Sequence, residues 1–339
     1  MKKILSIIVP TYNMEHYLNK CLDSLIVPNM DLLEVLVIND GSKDKSSEIA
    51  HWYECKYPNI FRVVDKNNGN YGSCINRGLK EATGKYIKVL DADDSFITGA
   101  LEVYIESLCK QDADLILNDC ITVNTNGKII NSWKFRLPDN VLLEFADIYP
   151  QMHCVAYKTE NLRKINYYQT EGISYTDQEW VFYPMTTVST MFYIPVSLYC
   201  YLVGREGQTI DPNIYLTKGF GHEVIITKRM LKFLNEKELG MNDYLTSKFL
   251  QRIQQQYSEI IINKGCPQFP EIIILDNYIK ENHPKFYNLI NEQCKLSNYL
   301  PFHFIAYWRN HKYELHKSHP VIFIYLIKNK LRNFVKKFV

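Results

Sequence analysis

The chain has 339 residues, with 39 Lys and Arg against 37 Asp and Glu, a formal charge of +2, and 46% hydrophobic residues. That balance excludes a disordered polyelectrolyte and gives no global attraction to nucleic acid, so any basic patch must be local. The length suffices for one large domain with additions, or for two domains.

The opening stretch "MKKILSIIVPTYN" holds an apolar run of about six residues that meets Pro10 with no small-residue cleavage site. It reads as a strand, Ile4–Val9, buried on both faces. A helix follows over 14–25, with Tyr17, Leu18, Cys21, Leu22 and Leu25 on its apolar stripe. Residues 34–39 form a second strand. Asp44 then supplies an N-cap for a helix to about Tyr57. Strand, helix, strand, helix and strand continue over 61–65, 72–82, 85–90, 99–109 and 115–118. Strands alternating with helices at this spacing predict an α/β fold, a mostly parallel sheet covered by helices on both faces. Further on, Asn126-Gly127 marks a hairpin turn, residues 153–165 read as a helix, and 191–204 as a strand. Beyond about 215 the pattern is helical, interrupted near Gly265-Cys266-Pro267 and Phe269-Pro270. No stretch of about 18 apolar residues occurs, so no transmembrane helix is expected. Nine cysteines without a C-x-x-C pair read as free thiols in a reducing, cytoplasmic compartment.

In parallel sheets, ligands bind beyond the carboxyl ends of the strands. Those ends here are Pro10-Thr11-Tyr12-Asn13, Asn39-Asp40-Gly41-Ser42, Asp65 with Asn67-Asn68-Gly69, and Asp91-Ala92-Asp93-Asp94. Four polar ends in a row describe the rim of a site. Asp91 and Asp93 lie two apart, so an extended chain points both the same way. Such hard oxygen ligands suit Mg²⁺ or Mn²⁺, which commonly complete their shell with water and phosphate oxygens. A bare D-x-D is more often an acidic turn; its place after a buried strand turns the balance toward a cation that neutralises a diphosphate. Tyr12 offers an aromatic face to a base, and Asp40 a carboxylate to a base N–H or a ribose hydroxyl. Neither G-x-G-x-x-G after the first strand nor a P-loop signature is present, which counts against a dehydrogenase or a P-loop NTPase.

The ordered set "SIIVPTYNMEHYLNKCLDSL", "EVLVINDGSKDKSSEIA", "NNGNYGSCINRGLKEATGKYIKVLDADD" and "YTDQEWVFY" resembles the family 2 glycosyltransferases of the GT-A fold, over about the first 205 residues. The resemblance implies a Rossmann-like GT-A domain over 1–212, a mainly helical region over 213–339, and inverting transfer of a sugar from a nucleoside diphosphate with Mg²⁺ or Mn²⁺. It implies that Pro10, Thr11, Tyr12, Asp40, Asn68, Asp91 and Ala92 hold the donor, and that Asp93 is the main metal ligand. Asp91, Asp94 and His222 are further candidates for the metal, and Arg205 in "YLVGREGQT" stands where a cation meets the diphosphate. An inverting transfer needs a base for the acceptor hydroxyl. The family's E-D-x-x-F-like segment matches Thr176-Asp177-Gln178-Glu179-Trp180, which gives Asp177 as base and Glu179, otherwise a helix-surface residue, as the reserve. One departure is that Ile75 stands where many members have arginine, with Tyr71 in the histidine place of a related sub-branch. His153 reads as structural or as lining the acceptor side.

After Pro320 the apolar residues Ile327, Leu331, Phe334, Val335 and Phe338 recur at helical spacing among Lys328, Lys330, Arg332, Lys336 and Lys337. This is the profile of a basic amphipathic helix on an anionic membrane surface, over about 320–339. The expected partners are a donor nucleotide sugar and a surface-polysaccharide or lipid-linked glycan acceptor at the inner face of the membrane, with no nucleic acid. Two rivals are a nucleotidyltransferase of related fold, which lacks its Gly-rich basic loop here, and a non-catalytic scaffold of a polysaccharide assembly.

Overall fold

The computed structural model describes residues 2–146, 148–208, 219–237, 244–264, 270–297 and 299–335. Gly265, Cys266, Pro267, Phe269, Lys336, Lys337 and Phe338 lie outside the described residues, as do the side chains of Arg332, Phe334 and Val335. The chain divides into two units, Met1–Gly219 and Phe220–Val339.

The first unit is built on a ten-stranded sheet of order β3-β2-β1-β4-β9-β6-β10-β5, with β7 on β6 and β8 on β10. Its strands are β1 (Leu5–Thr11), β2 (Leu33–Asn39), β3 (Phe61–Asp65), β4 (Tyr86–Val89), β5 (Ser95–Phe96), β6 (Leu115–Asn124), β7 (Ile129–Trp133), β8 (Leu142–Glu144), β9 (Val155–Lys158) and β10 (Thr190–Val203). The order β3-β2-β1-β4 is parallel throughout, and β6 also runs parallel to β10. The remaining pairings are antiparallel. Helices α1 (Leu18–Asp23), α2 (Ser46–Lys56), α3 (Asn70–Glu81) and α4 (Thr98–Cys109) connect the early strands.

The alternation of strand side chains sends the helices to opposite faces. Ile7 and Val9 join Leu22, Tyr53 and Tyr104 in one buried cluster, while Ile8 meets α3 at Gly78, where any Cβ would lie 2.6 Å from the Ile8 side chain. Burying each such aliphatic chain contributes roughly 1.5–3 kcal/mol. The N-cap position of α2 is Lys45 rather than Asp44, whose Oδ1 accepts from Ser46 N at 3.0 Å just ahead of the helix.

The sequence reading of 153–165 as one helix is corrected. Residues 155–158 are β9, wedged antiparallel between β4 and β6, and the helix α5 begins at Thr159 and ends at Lys164. Val155, Ala156 and Tyr157 are fully buried, so sheet pairing overrides their weak helical periodicity. The Asn126-Gly127 hairpin is present between β6 and β7, with Gly127 at φ 76°. Among the described cysteines, Cys21, Cys74, Cys120, Cys154 and Cys294 are buried free thiols, whereas Cys55 and Cys109 are exposed.

Within the second unit, α7 (Phe220–Glu236), α8 (Tyr244–Tyr257), α9 (Pro270–Asn282), α10 (Pro284–Gln293), α11 (Phe304–Asn310) and α12 (Pro320–Val335) pack helix on helix. Their buried centre is an ion pair, with Arg309 donating to both carboxylate oxygens of Asp276. No described helix is long and apolar enough to cross a membrane.

Candidate active site

A cavity of about 440 Å³ opens at the carboxyl ends of β1, β2 and β4. Pro10, Thr11 and Tyr12 reach it from β1, Asp40 from β2, Asn68 from the turn before α3, and Asp91, Ala92 and Asp93 from the turn after β4. Asp177, the first residue of α6 (Asp177–Trp180), and Arg205, just past β10, complete the wall. Residues up to 198 positions apart in the sequence, Pro10 and Gln208, thus meet in one hollow of the first unit.

The end of the cavity formed by Tyr12 and Asp40 is held from behind. Tyr12 presents a 45% exposed ring, whereas Asp40 is 3% exposed. Lys66 Nζ donates to Asp40 Oδ1, and Gly69 N donates to the same oxygen at 2.9 Å. Lys66 is tied further to Ser73 Oγ at 2.8 Å, so the carboxylate is clamped by a cation that does not itself line the cavity. Gly41 turns the chain at φ 74°, a left-handed conformation that glycine adopts without strain.

At the acidic turn, Asp91 Oδ1 accepts from Tyr71 Oη at 2.8 Å. Burial, then the neighbouring charge of Asp93, pushes Asp91 up to about 7. Asp93 Oδ2 accepts from Arg205 Nε at 2.5 Å. Asp94 is turned away from the cavity and buried, with Oδ2 accepting from Tyr199 Oη and Oδ1 from Leu202 N, both at 2.7 Å. It pins β10 to the acidic turn, and burial holds its carboxyl well above the usual carboxylate range.

The donor set fits a hard divalent cation. Asp91, Asp94 and His153 each offer a ligand atom, all within 4.8 Å of one another, and His153 Nδ1 is buried with no hydrogen-bond partner among the described residues. Because both Asp94 oxygens already accept strong bonds, the carboxylates with capacity facing the cavity are Asp91 and Asp93. His153 lies against Tyr199 and Tyr201, at ring distances of 4.6 and 4.7 Å, and burial lowers it to about 3, which keeps it neutral. His222 lies in α7 of the second unit and is not among the described residues that line this cavity.

The segment carrying Asp177 is rigidly placed. Glu179, expected on a helix surface, is fully buried and accepts from Thr170 N at 2.7 Å and Thr170 Oγ1 at 2.9 Å. That corrects its sequence reading, because the carboxylate ties the turn at 170 to α6. Tyr175 stands at φ 66°, a strained conformation for an aromatic residue, two positions before Asp177 in the cavity wall. Trp180 is fully buried in the core. Tyr71 and Lys66 are site residues that the sequence reading did not assign a role. The signal for Tyr71 was that it stands in the histidine place of the related sub-branch; Lys66 had none.

Residues 6–157 match the profile of glycosyl transferase family 2. The E. coli protein described as uncharacterized glycosyltransferase YibD is 38% identical over 111 residues, 33% of this chain and 32% of that protein. A Mycoplasma genitalium relative, uncharacterized glycosyltransferase MG025, is 46% identical over 100 residues, and these two matches span about a third of the relatives' own lengths. A Rickettsia typhi glycosyltransferase, RT0329, is 27% identical over 270 residues, covering 77% of this chain and 76% of that protein. Among solved structures, S. aureus TarS residues 1–349 superpose with a TM-score of 0.62 at 20% identity, covering 91% of this chain and 88% of that one. The UDP complex of the same fragment gives a TM-score of 0.59 at 19% identity. These likenesses establish the GT-A fold, and residues 6–157 are similar to glycosyl transferase family 2.

Proposed function

We propose that the first unit transfers a hexose or N-acetylhexosamine, with inversion, from a UDP-sugar to a surface-polysaccharide or lipid-linked glycan acceptor. One observation carries the reading: Tyr12, Asp40, Asp91, Asp93 and Asp177 line a single cavity. The UDP and UDP-GlcNAc complexes of TarS support a uridine-type donor. In this reading Tyr12 covers the base, and Asp40, oriented by Lys66 and Gly69 N, accepts from a base N–H or ribose hydroxyl. A Mg²⁺ or Mn²⁺ ion held by Asp93 and Asp91 would neutralise the departing diphosphate. Asp177 accepts the acceptor hydroxyl's proton as that oxygen forms its bond to the anomeric carbon and the bond to the diphosphate breaks.

Asp177→Asn is the test. Transfer should fall by about 10²–10⁴-fold while UDP binding by calorimetry is kept. Near-normal transfer by this variant would remove Asp177 from the role of base. Failure of the wild type to bind UDP with Mn²⁺ would favour a scaffold over an enzyme.

For the second unit, the reading includes peripheral contact with the inner membrane face. Along α12, Phe323, Ile324, Ile327 and Leu331 are exposed at helical spacing, and Lys328 and Lys330 are exposed beside them. Each basic residue near an anionic surface contributes about 1 kcal/mol. Full-length protein should pellet with anionic vesicles at low salt and lose that binding on deletion after Pro320; unchanged binding of the truncated protein would sink this part.

A further inference from the structure

We infer that Arg205 and the divalent cation compete for Asp93, so that the cation and the donor nucleotide bind cooperatively. This rests on the proposed reading of the cavity and adds a positioning role within it.

Arg205 occupies a built seat. Its Nε donates to Asp93 Oδ2 at 2.5 Å, with the two side chains only 13% and 11% exposed. The guanidinium lies 5.4 Å from the ring centre of Tyr17. Gln208 Nε2 reaches the same Asp93 oxygen at 3.5 Å, and Gln208 is itself anchored to Leu202 O at 2.7 Å and to Gly204 N at 2.8 Å.

The charges around the cavity make that contact consequential. Four carboxylates line it, Asp40, Asp91, Asp93 and Asp177, and Arg205 is the sole lysine or arginine among the described lining residues. Asp40 is met by Lys66 from behind, and Asp91 by a neutral tyrosine hydroxyl. Asp93 is met by Arg205. A carboxylate oxygen that accepts from a guanidinium has less charge to give a metal, and a dication seated beside that guanidinium is repelled by it.

Diphosphate oxygens offer Arg205 a second destination, one that suits its planar fork. Once the guanidinium bonds to them, Asp93 is released to the cation. Each ligand therefore clears the way for the other, and linkage requires the two effects to be equal in size.

The experiment follows free Mn²⁺ by electron paramagnetic resonance as it is titrated into the full chain, with and without UDP. For the wild type, UDP should tighten Mn²⁺ binding on the order of tenfold, a typical coupling. Arg205→Gln should bind Mn²⁺ without UDP more tightly than the wild type, by a similar factor, and keep only the part of the UDP effect that comes from the cation's own contact with diphosphate. Arg205→Lys keeps the charge without the fork, so its Mn²⁺ binding without UDP should stay weak while the coupling shrinks. The inference is overturned if Arg205→Gln binds Mn²⁺ alone no better than the wild type, or if its coupling to UDP is unchanged; in that case, continued binding of UDP and Mn²⁺ leaves the proposed function standing. Absence of any UDP or Mn²⁺ binding by the wild type would instead remove the proposed function, and the inference with it.

Discussion

Gly72 in α3 is the point where a single methyl group should reach the proposed base, Asp177. A Cβ built there would stand 2.0 Å from Thr170 O and 2.8 Å from Thr170 C, where ordinary contact begins near 3.4 Å. Two effects oppose each other in Gly72→Ala. Alanine favours the helix by about 1 kcal/mol. Against it, the atom in the way is backbone, so relief requires the segment at 169–172 to shift by about an ångström. That segment is held by Gln169 N to Asn76 Oδ1 and Asn76 Nδ2 to Gln169 O, each 2.8 Å, and by Gly172 N to Gly69 O at 2.9 Å. Losing two such bonds at about 1 kcal/mol each, with overpacking of 1–3 kcal/mol, outweighs the helix gain and leaves a net loss of roughly 2–4 kcal/mol. For a unit of this size the thermal midpoint should fall by about 4–16 °C. Glu179 couples Thr170 to α6, so Asp177 moves with the segment, and a displacement near 1 Å costs about 10²-fold in turnover. UDP affinity, which the proposed reading assigns mainly to residues of β1 and β2, should stay within about threefold, less than 1 kcal/mol. Scanning calorimetry, transfer kinetics and UDP calorimetry on one preparation give all three quantities. An alanine variant as stable as the parent, with unchanged turnover, would refute the reasoning.

Three further perturbations separate structural from chemical roles. Glu179→Gln should destabilise by about 1–3 kcal/mol, since one Thr170 donor loses a charged acceptor, and should lower turnover less than Asp177→Asn does; denaturant titration and transfer assays compare the two. Arg309→Met leaves Asp276 buried and unpaired, which should cost about 3–5 kcal/mol and show as faster amide exchange across 270–310, with the first unit's peptides unchanged. Lys88 is fully buried, and burial lowers it to about 7 from 10.5. Between those values the unfolded chain holds a proton that the folded chain has shed, so wild-type stability, measured as a difference from Lys88→Met, should rise with pH from about 7 to 10.5. The rise is at most on the order of 5 kcal/mol. The three oxygens that accept from Nζ, Asn118 Oδ1, His153 O and Val155 O, favour the ammonium and reduce it. A difference that falls with pH over that range would overturn the assignment.

What the sequence revealed, and what it hid, divides by the range of the interaction responsible. The strands β1 to β4 are short apolar runs closed by Pro, Asn, Asp and Gly, and both features act within a few residues, so the parallel half of the sheet and its polar rim were legible. β9 was not, because Val155–Lys158 become a strand only by pairing with β4 and β6, whose partners lie about 40 to 70 positions away. The site divides in the same way. Asp40, Asp91 and Asp93 follow from their position after strands. Lys66 carried no signal and Glu179 read as a helix-surface charge, yet one clamps a buried carboxylate and the other locks a turn. Arg205 lies between these cases: its residue type suggested a phosphate partner, and only the fold discloses that its partner is Asp93, 112 positions earlier. A cation and an arginine set against the same aspartate cannot both hold it at full strength. The pairing that sequence could not reveal is therefore the one that decides whether metal and nucleotide arrive independently or together.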